Sequence, residues 1–295
     1  MRKVLPVCVA VVVVLGAVRA EADDDPAAPV RPLSLPVLAH AHAEARTSTL
    51  LGSVAPNFAS ERTSALVIER FRIEAPANRW LYLGGGWAMT GALPPGGATG
   101  QKLLGGNVEV DARAIWTAPS DGIAMGLALG LLLPTADHGS SAAQSVALAA
   151  GSANVAEYNM FRTMKLGLRP AVDARVTTGV GSFQARQALE YAHDPATFQA
   201  SRVSTVSSLF VGVALADAVT VGTEVSELYL LDAKIPDGRR ASLTAEVGAS
   251  WSLGRVVPAV GFFSTVGSPL SGEIDRVYGG RLSVAWIWAA GRGHR

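Results

Sequence analysis

Asn107-Val-Glu-Val-Asp-Ala-Arg-Ala-Ile-Trp-Thr-Ala-Pro-Ser-Asp-Gly-Ile-Ala-Met-Gly-Leu-Ala-Leu-Gly-Leu-Leu-Leu133 is the stretch on which the reading of this chain turns. In its first half, Val108, Val110, Ala112, Ala114 and Trp116 alternate with Asn107, Glu109, Asp111 and Arg113. After the turn Ala118–Gly122, Ile123, Met125, Leu127, Leu129, Leu131 and Leu133 alternate with Ala124, Gly126, Ala128 and Gly130. Successive side chains on a strand point to opposite faces. Each strand therefore carries large apolar groups on one face and charges or very small residues on the other. A soluble sandwich would need a solvated polar face, which Ala124, Gly126, Ala128 and Gly130 do not supply. Its strands would also average about five to six residues, whereas several stretches here run to about ten or more. The pattern fits a wall between lipid and a lumen.

The N-terminus reads as an export signal. Arg2 and Lys3 precede an apolar core, Val4–Gly16, too short to span a bilayer, and Val18-Arg19-Ala20 offers a cleavage site. Cleavage after Ala20 would remove Cys8, the single cysteine of the chain. An exported chain without cysteine needs no disulfide if its backbone is satisfied by a closed ladder. With Arg2, Lys3 and Arg19 removed from 25 basic against 24 acidic residues, the mature net charge is −2. Nothing in that balance points to nucleic acid as a partner.

Residues 21–45 read as a disordered periplasmic leader, opening on Glu21-Ala-Asp-Asp-Asp-Pro26 and carrying Pro29, Pro32 and Pro36. His40 and His42 sit at strand spacing, but two ligands without a third make no metal site, and none is expected. Val37–Leu51 has the composition of a short helix entering the barrel. Strands are expected at 46–54, 65–75, 79–90, 106–117, 122–133, 158–178, 181–192, 203–215, 219–231, 240–253, 256–266 and 277–289. Their connections alternate short and long, the asymmetry of bacterial outer-membrane barrels. The fold class is thus an all-β, antiparallel up-and-down transmembrane barrel of about 12 strands over 46–289, with a short tail over 290–295. Ten strands, or fourteen if 158–178 splits at Pro170, are the other possible counts. Outer-membrane lipids and the barrel assembly machinery are the partners such a protein requires.

One stretch carries a family resemblance. Leu127-Ala-Leu-Gly-Leu-Leu-Leu-Pro-Thr-Ala-Asp137 resembles the strand-then-Pro-Thr-Gly-Asp signature of the outer-membrane proteins named for the meta-pathway of phenol degradation. Ala136 stands where that signature has glycine, and Arg169-Pro170-Ala171 is similar to the same family in a later strand. The resemblance implies an outer-membrane channel or transporter for small hydrophobic compounds.

Continuing the alternation places Arg70, Arg72, Glu74, Glu109, Asp111, Arg113, Lys165, Arg169, Asp173, Arg175, Arg186, Glu190, Glu224, Glu246 and Arg281 toward the lumen. On the strand 158–178 it turns Met160, Met164, Leu166 and Leu168 toward lipid. Eight basic against seven acidic groups favour cross-barrel ion pairs over an ion-selective filter. Pro134–Glu157, rich in Ala, Ser and Gly, suits a loop folded back into the lumen as a constriction. A structural or surface-adhesive barrel with a sealed lumen is the alternative. An outer-membrane lipid hydrolase comes last, because Asp137-His-Gly-Ser140 and His193-Asp194 are ordinary loop composition. No cofactor motif is present: Gly84-Gly-Gly86 lacks the Lys-Ser/Thr and helix of a phosphate loop. Inside a strand these glycines admit a bend or a close lumen side chain.

Overall fold

The computed structural model describes residues 30–38, 42–56, 64–93, 103–118, 122–136, 141–162, 166–193, 202–216, 218–231, 240–267 and 274–289. Its strands are β1 His42–Pro56, β2 Ser64–Pro76, β3 Leu81–Leu93, β4 Leu103–Gly105, β5 Val108–Thr117, β6 Ile123–Leu133 and β7 Leu166–Thr178. The series continues with β8 Gly181–His193, β9 Arg202–Ala216, β10 Val219–Leu230, β11 Ala241–Trp251, β12 Val256–Val266 and β13 Ile274–Ala289. Apart from β4 and β5, which both pair with β3, consecutive strands pair antiparallel, and β13 pairs with β1 from His42↔Ala289 onward, which closes the sheet. β4 and β5 both pair with β3 on either side of Gly106-Asn107 and form one interrupted wall strand, so the barrel has twelve.

The outer face is apolar. Leu127, Leu129, Val172, Phe183, Leu209, Val211, Val247, Phe262 and Leu282 are all exposed on it. Leu129 is 56% exposed, whereas Glu109, one strand away on the other face, is 6% exposed. The period-two alternation explains this directly: β5 and β6 pair Val110↔Leu131 and Asp111↔Gly130, so each face continues across the strands. Pro170 does not split β7. It faces outward opposite Leu129, and the β7–β8 register is the same at Leu168↔Tyr191 as at Ala171↔Ala188.

Four expectations are corrected. β1 begins at His42, so the stretch expected as a helix over Val37–Leu51 contains a strand. That strand persists because β2 and β13 supply partners on both edges. Residues 30–38 do not form a solvated leader: Val30, Leu33, Leu35 and Leu38 are buried inside the barrel. β7 starts at Leu166 instead of 158, because the chain before it turns into the lumen as helix α1, Ser141–Ala153, and a 3-10 helix, Val155–Phe161. Met160 accordingly faces inward and is buried, not lipid-exposed; Met164 lies outside the described residues.

Placing a charge on the lipid face tests this orientation. Leu129→Arg should cost about 2–4 kcal/mol of folding free energy near the bilayer midplane, read as a shifted midpoint in urea titrations of vesicle-inserted protein. Leu129→Phe, apolar on the same face, should leave the midpoint in place.

Candidate functional site

The interior is layered along the barrel axis. In the half nearest the long loops most inward wall residues are apolar, with Thr90, Ser242, Thr244 and Thr265 among them: Leu50, Leu66, Ile68, Ala88, Leu132, Phe263 and Val277 pack with Ala147, Ala150, Ala153, Met160 and Phe161 of the inserted segment. A second group, Ala171, Ala188, Val206, Leu228 and Leu230, packs against Val155 and Tyr158. The Ala-rich helix fits because small side chains let it approach the wall closely. Of the loop 134–157 expected to fold inward, the helix and the residues after it do so.

Side chains pin this insert. Asn107, at the break between β4 and β5, donates from Nδ2 to the carbonyls of Asn159 and Arg162 at 3.1 and 2.7 Å. Its backbone N–H reaches the Met160 carbonyl at 2.6 Å, and its Oδ1 accepts from the Ala136 N–H at 3.1 Å. Thr135 bridges the same break, donating to the Gly106 carbonyl at 2.8 Å and accepting from the Val108 N–H at 2.9 Å. The Pro-Thr of the signature therefore closes the gap in the neighbouring strand. Deeper in, Glu157 pairs with Arg70, and Asn159 donates to Glu190 at 2.6 Å. Burial pushes the Tyr158 phenol up to about 12, against the opposing pull of Arg162. The Arg162 guanidinium lies 5.8 Å from the ring centre.

The middle layer is a belt of paired charges. Arg72 lies 2.6 Å from Asp111, 3.6 Å from Glu74 and 3.7 Å from Glu109. Arg169 bridges Glu109, at 3.2 Å, and Glu190. Arg113 pairs with Glu74, Arg186 with Asp173 at 3.0 Å, and Arg281 with Glu246 at 2.9 Å. Gly84 makes room for this belt, since a Cβ there would lie 2.7 Å from Asp111 Oδ1. The glycine run thus admits the close lumen side chain expected of it.

Near the short turns, residues 30–38 cross the interior as a strap. Arg31 pairs with Glu44, which Arg46 also contacts at 2.9 Å. Burial lowers the Arg31 pKa, and Glu44 opposes that shift. Two cavities of about 60 Å3 remain between strap, belt and insert, and both are lined by Arg70, Arg72 and Glu109. Each has room for several waters, since one needs roughly 10–15 Å3 of such volume.

Fourteen of the fifteen residues expected at the lumen are brought there, and Arg175 and Glu224 bind the strap instead of an opposite charge. Lys165, His40, Asp137-His-Gly-Ser140 and Asp194 lie outside the described residues. His193 stacks on Tyr191 with ring centres 6.1 Å apart. Among the described residues, no group of three or more His, Cys, Asp or Glu could hold a metal. Sequence reasoning missed Glu44 and Arg46, which extending the β1 alternation would have found. It also missed Arg31, Ser34 and Glu157, which lie outside the expected strands, and Asn159, which lies in a 3-10 helix where the expected strand 158–178 was to begin.

No protein-family model matches the chain, and no curated protein sequence does. Among solved structures it is similar to the COG4313 outer membrane channel from Pseudomonas putida F1, with a TM-score of 0.62 and 10% identity over 88% of this chain and all of that one. It is also similar to the NanC porin, with a TM-score of 0.53 and 8% identity over 81% of this chain and 98% of the porin. These likenesses define the fold as that of outer-membrane β-barrels.

Two outcomes follow for the interior. Asn107→Ala removes two side-chain bonds to the end of the insert, at Asn159 and Arg162, and one to Ala136, and should loosen the insert by about 1–3 kcal/mol. Limited proteolysis within 141–161 should accelerate in the variant and not in the parent. Arg169→Met leaves Glu109 and Glu190 without their shared partner and should cost about 3–5 kcal/mol in urea titration. Adding Glu190→Gln should recover part of that loss.

Proposed function

We propose that this protein is an outer-membrane channel for small hydrophobic compounds, held closed by the insert at 141–161 and the strap at 30–38. The observation that carries this reading is the apolar lining of the loop-side half of the lumen, covered by a helix instead of by a fused core. Withdrawing the insert would uncover Leu50, Leu66, Ile68, Leu132, Phe263 and Val277 as an apolar mouth. Such a mouth favours apolar solutes by the same burial that now favours the insert. The resemblance of Leu127–Asp137 to the phenol-pathway family supports the same substrate class. Below the mouth, the paired charges form a polar passage with no strong excess of either sign, which supports little ion selectivity.

The complete pairing of the belt favours a second reading, a structural barrel sealed by its own ion pairs. One variant separates the two: residues 141–153 replaced by a short Gly-Ser linker and residues 30–38 by nine Gly or Ser residues. In planar bilayers the intact protein should stay near zero conductance while this variant shows discrete steps without strong anion or cation preference. Liposomes carrying it should also take up a small aromatic hydrocarbon faster than liposomes carrying the intact protein. A variant that remains non-conducting would establish the sealed barrel.

A further inference from the structure

The strap is held as a ligand is held. Residues 30–38 read Val-Arg-Pro-Leu-Ser-Leu-Pro-Val-Leu, and among the described residues no backbone-to-backbone hydrogen bond joins them to a strand. Their peptide groups are met by wall side chains from five strands. Arg175 donates to the Val30 carbonyl at 2.6 Å, Arg46 to the Leu33 carbonyl at 3.3 Å, Gln184 to the Pro36 carbonyl at 2.8 Å and Arg113 to the Val37 carbonyl at 3.4 Å. The Glu224 carboxylate accepts the N–H of Ser34 at 3.0 Å, the N–H of Leu35 at 3.3 Å and the Ser34 hydroxyl. Pro32 and Pro36 remove two donors that would otherwise need acceptors and fix φ on either side of a bend at residues 33–35.

The wall is also shaped for apolar side chains. Val30 and Leu35 pack on Phe210 and Ala214, and Leu38 packs on Tyr82, Ile115 and Ala124. Inward glycines leave the space: a Cβ at Gly212 would lie 2.6 Å from Val30, one at Gly126 3.0 Å from Leu38, and one at Gly248 3.1 Å from Leu33.

Glu224 shows that the site needs an occupant. Among the described residues its hydrogen-bond partners all lie in the strap, and it stands directly across the ladder from Glu246, which holds Arg281. With the strap gone, two adjacent carboxylates would share one arginine. A carboxylate stripped of its donors in such a site is costly until new donors arrive.

We propose that this inner surface is a peptide-binding site, occupied in cis by residues 30–38, and that, when the strap withdraws, it takes short, proline-containing peptides able to bend as the strap does. The proposal deepens the channel reading by naming a second ligand class for the lumen, and rests on it only for access to the site. Side-chain donors to four carbonyls and one carboxylate accepting from two consecutive N–H groups recognise backbone, and the Phe210 and Tyr82 pockets recognise the flanking apolar residues.

The test uses full-length protein in detergent with residues 30–38 replaced by nine Gly or Ser residues, its folding confirmed by heat-dependent gel mobility. A fluorescein-labelled Val-Arg-Pro-Leu-Ser-Leu-Pro-Val-Leu peptide is titrated by anisotropy against a scrambled peptide of the same composition. The native order should bind at least tenfold more tightly, and Glu224→Ala in the strap-replaced background should weaken it at least tenfold. The intact protein, whose own strap fills the site, should bind neither. No binding by the strap-replaced protein, equal binding of the two peptides, or binding unaltered by Glu224→Ala would overturn the proposal. This readout does not depend on conductance, so a non-conducting barrel would defeat the channel reading and leave the peptide result standing.

Discussion

A strand that crosses hydrocarbon must find a partner for every peptide N–H and carbonyl, because no water is available to take them. Everything else in this structure depends on how that constraint is met. β1 and β13 pair along their whole length, from His42↔Ala289 to Pro56↔Ile274, with one register shift after Ala55, and remove the two edges an open sheet would leave. Closure then creates a second constraint. Twelve strands enclose more space than their own inward side chains fill, unlike the eight-stranded case. The chain answers by feeding two of its own segments into the interior, one from each end.

Those segments are held differently from the wall. The wall is a continuous backbone ladder that breaks only at the cost of unsatisfied peptide groups in lipid. The insert and the strap are attached chiefly through side chains: Asn107, Arg70 and Glu190 for the one, Glu224, Arg175, Gln184 and Arg113 for the other. Separate sets of bonds of this kind allow a rigid wall to keep its shape while its contents move. The break at Gly106-Asn107 marks the point where the two systems meet, since a wall position released from the ladder has its backbone N–H free to bind the insert.

The charged belt follows from burial. Arginine and carboxylate side chains enclosed between two inserts are tolerated only when paired, because an isolated buried charge is far costlier than a matched one. Arg169 between Glu109 and Glu190, and Arg72 among Asp111, Glu74 and Glu109, satisfy this by sharing. The same sharing joins β2, β5, β7 and β8 across the lumen. Glu190 also reaches Asn159, so the insert is tied to the belt as well as to the apolar lining above it.

The strand periods were legible because alternation is a local property: Val108–Trp116 against Glu109–Arg113 states which way each side chain faces whatever lies beyond. The same rule placed Arg70, Asp173, Glu246 and Arg281 at the lumen, where Arg70 is half-buried and the other three are buried. It failed where no period exists and where a short alternation runs up to a real strand. Nothing local in Val30–Leu38 distinguishes a solvated proline-rich leader from a strap, and Val155–Phe161 alternates well enough to pass for the start of a strand. Their positions were decided by partners far away in sequence, as with Ser34 and Glu224, 190 positions apart. The sequence by itself determined a two-faced wall and its inward charges, since each residue's facing depends only on its neighbours. Only the closed barrel decided what fills the lumen, since a segment's preference for that space exists only once distant strands have assembled the groups that bind it.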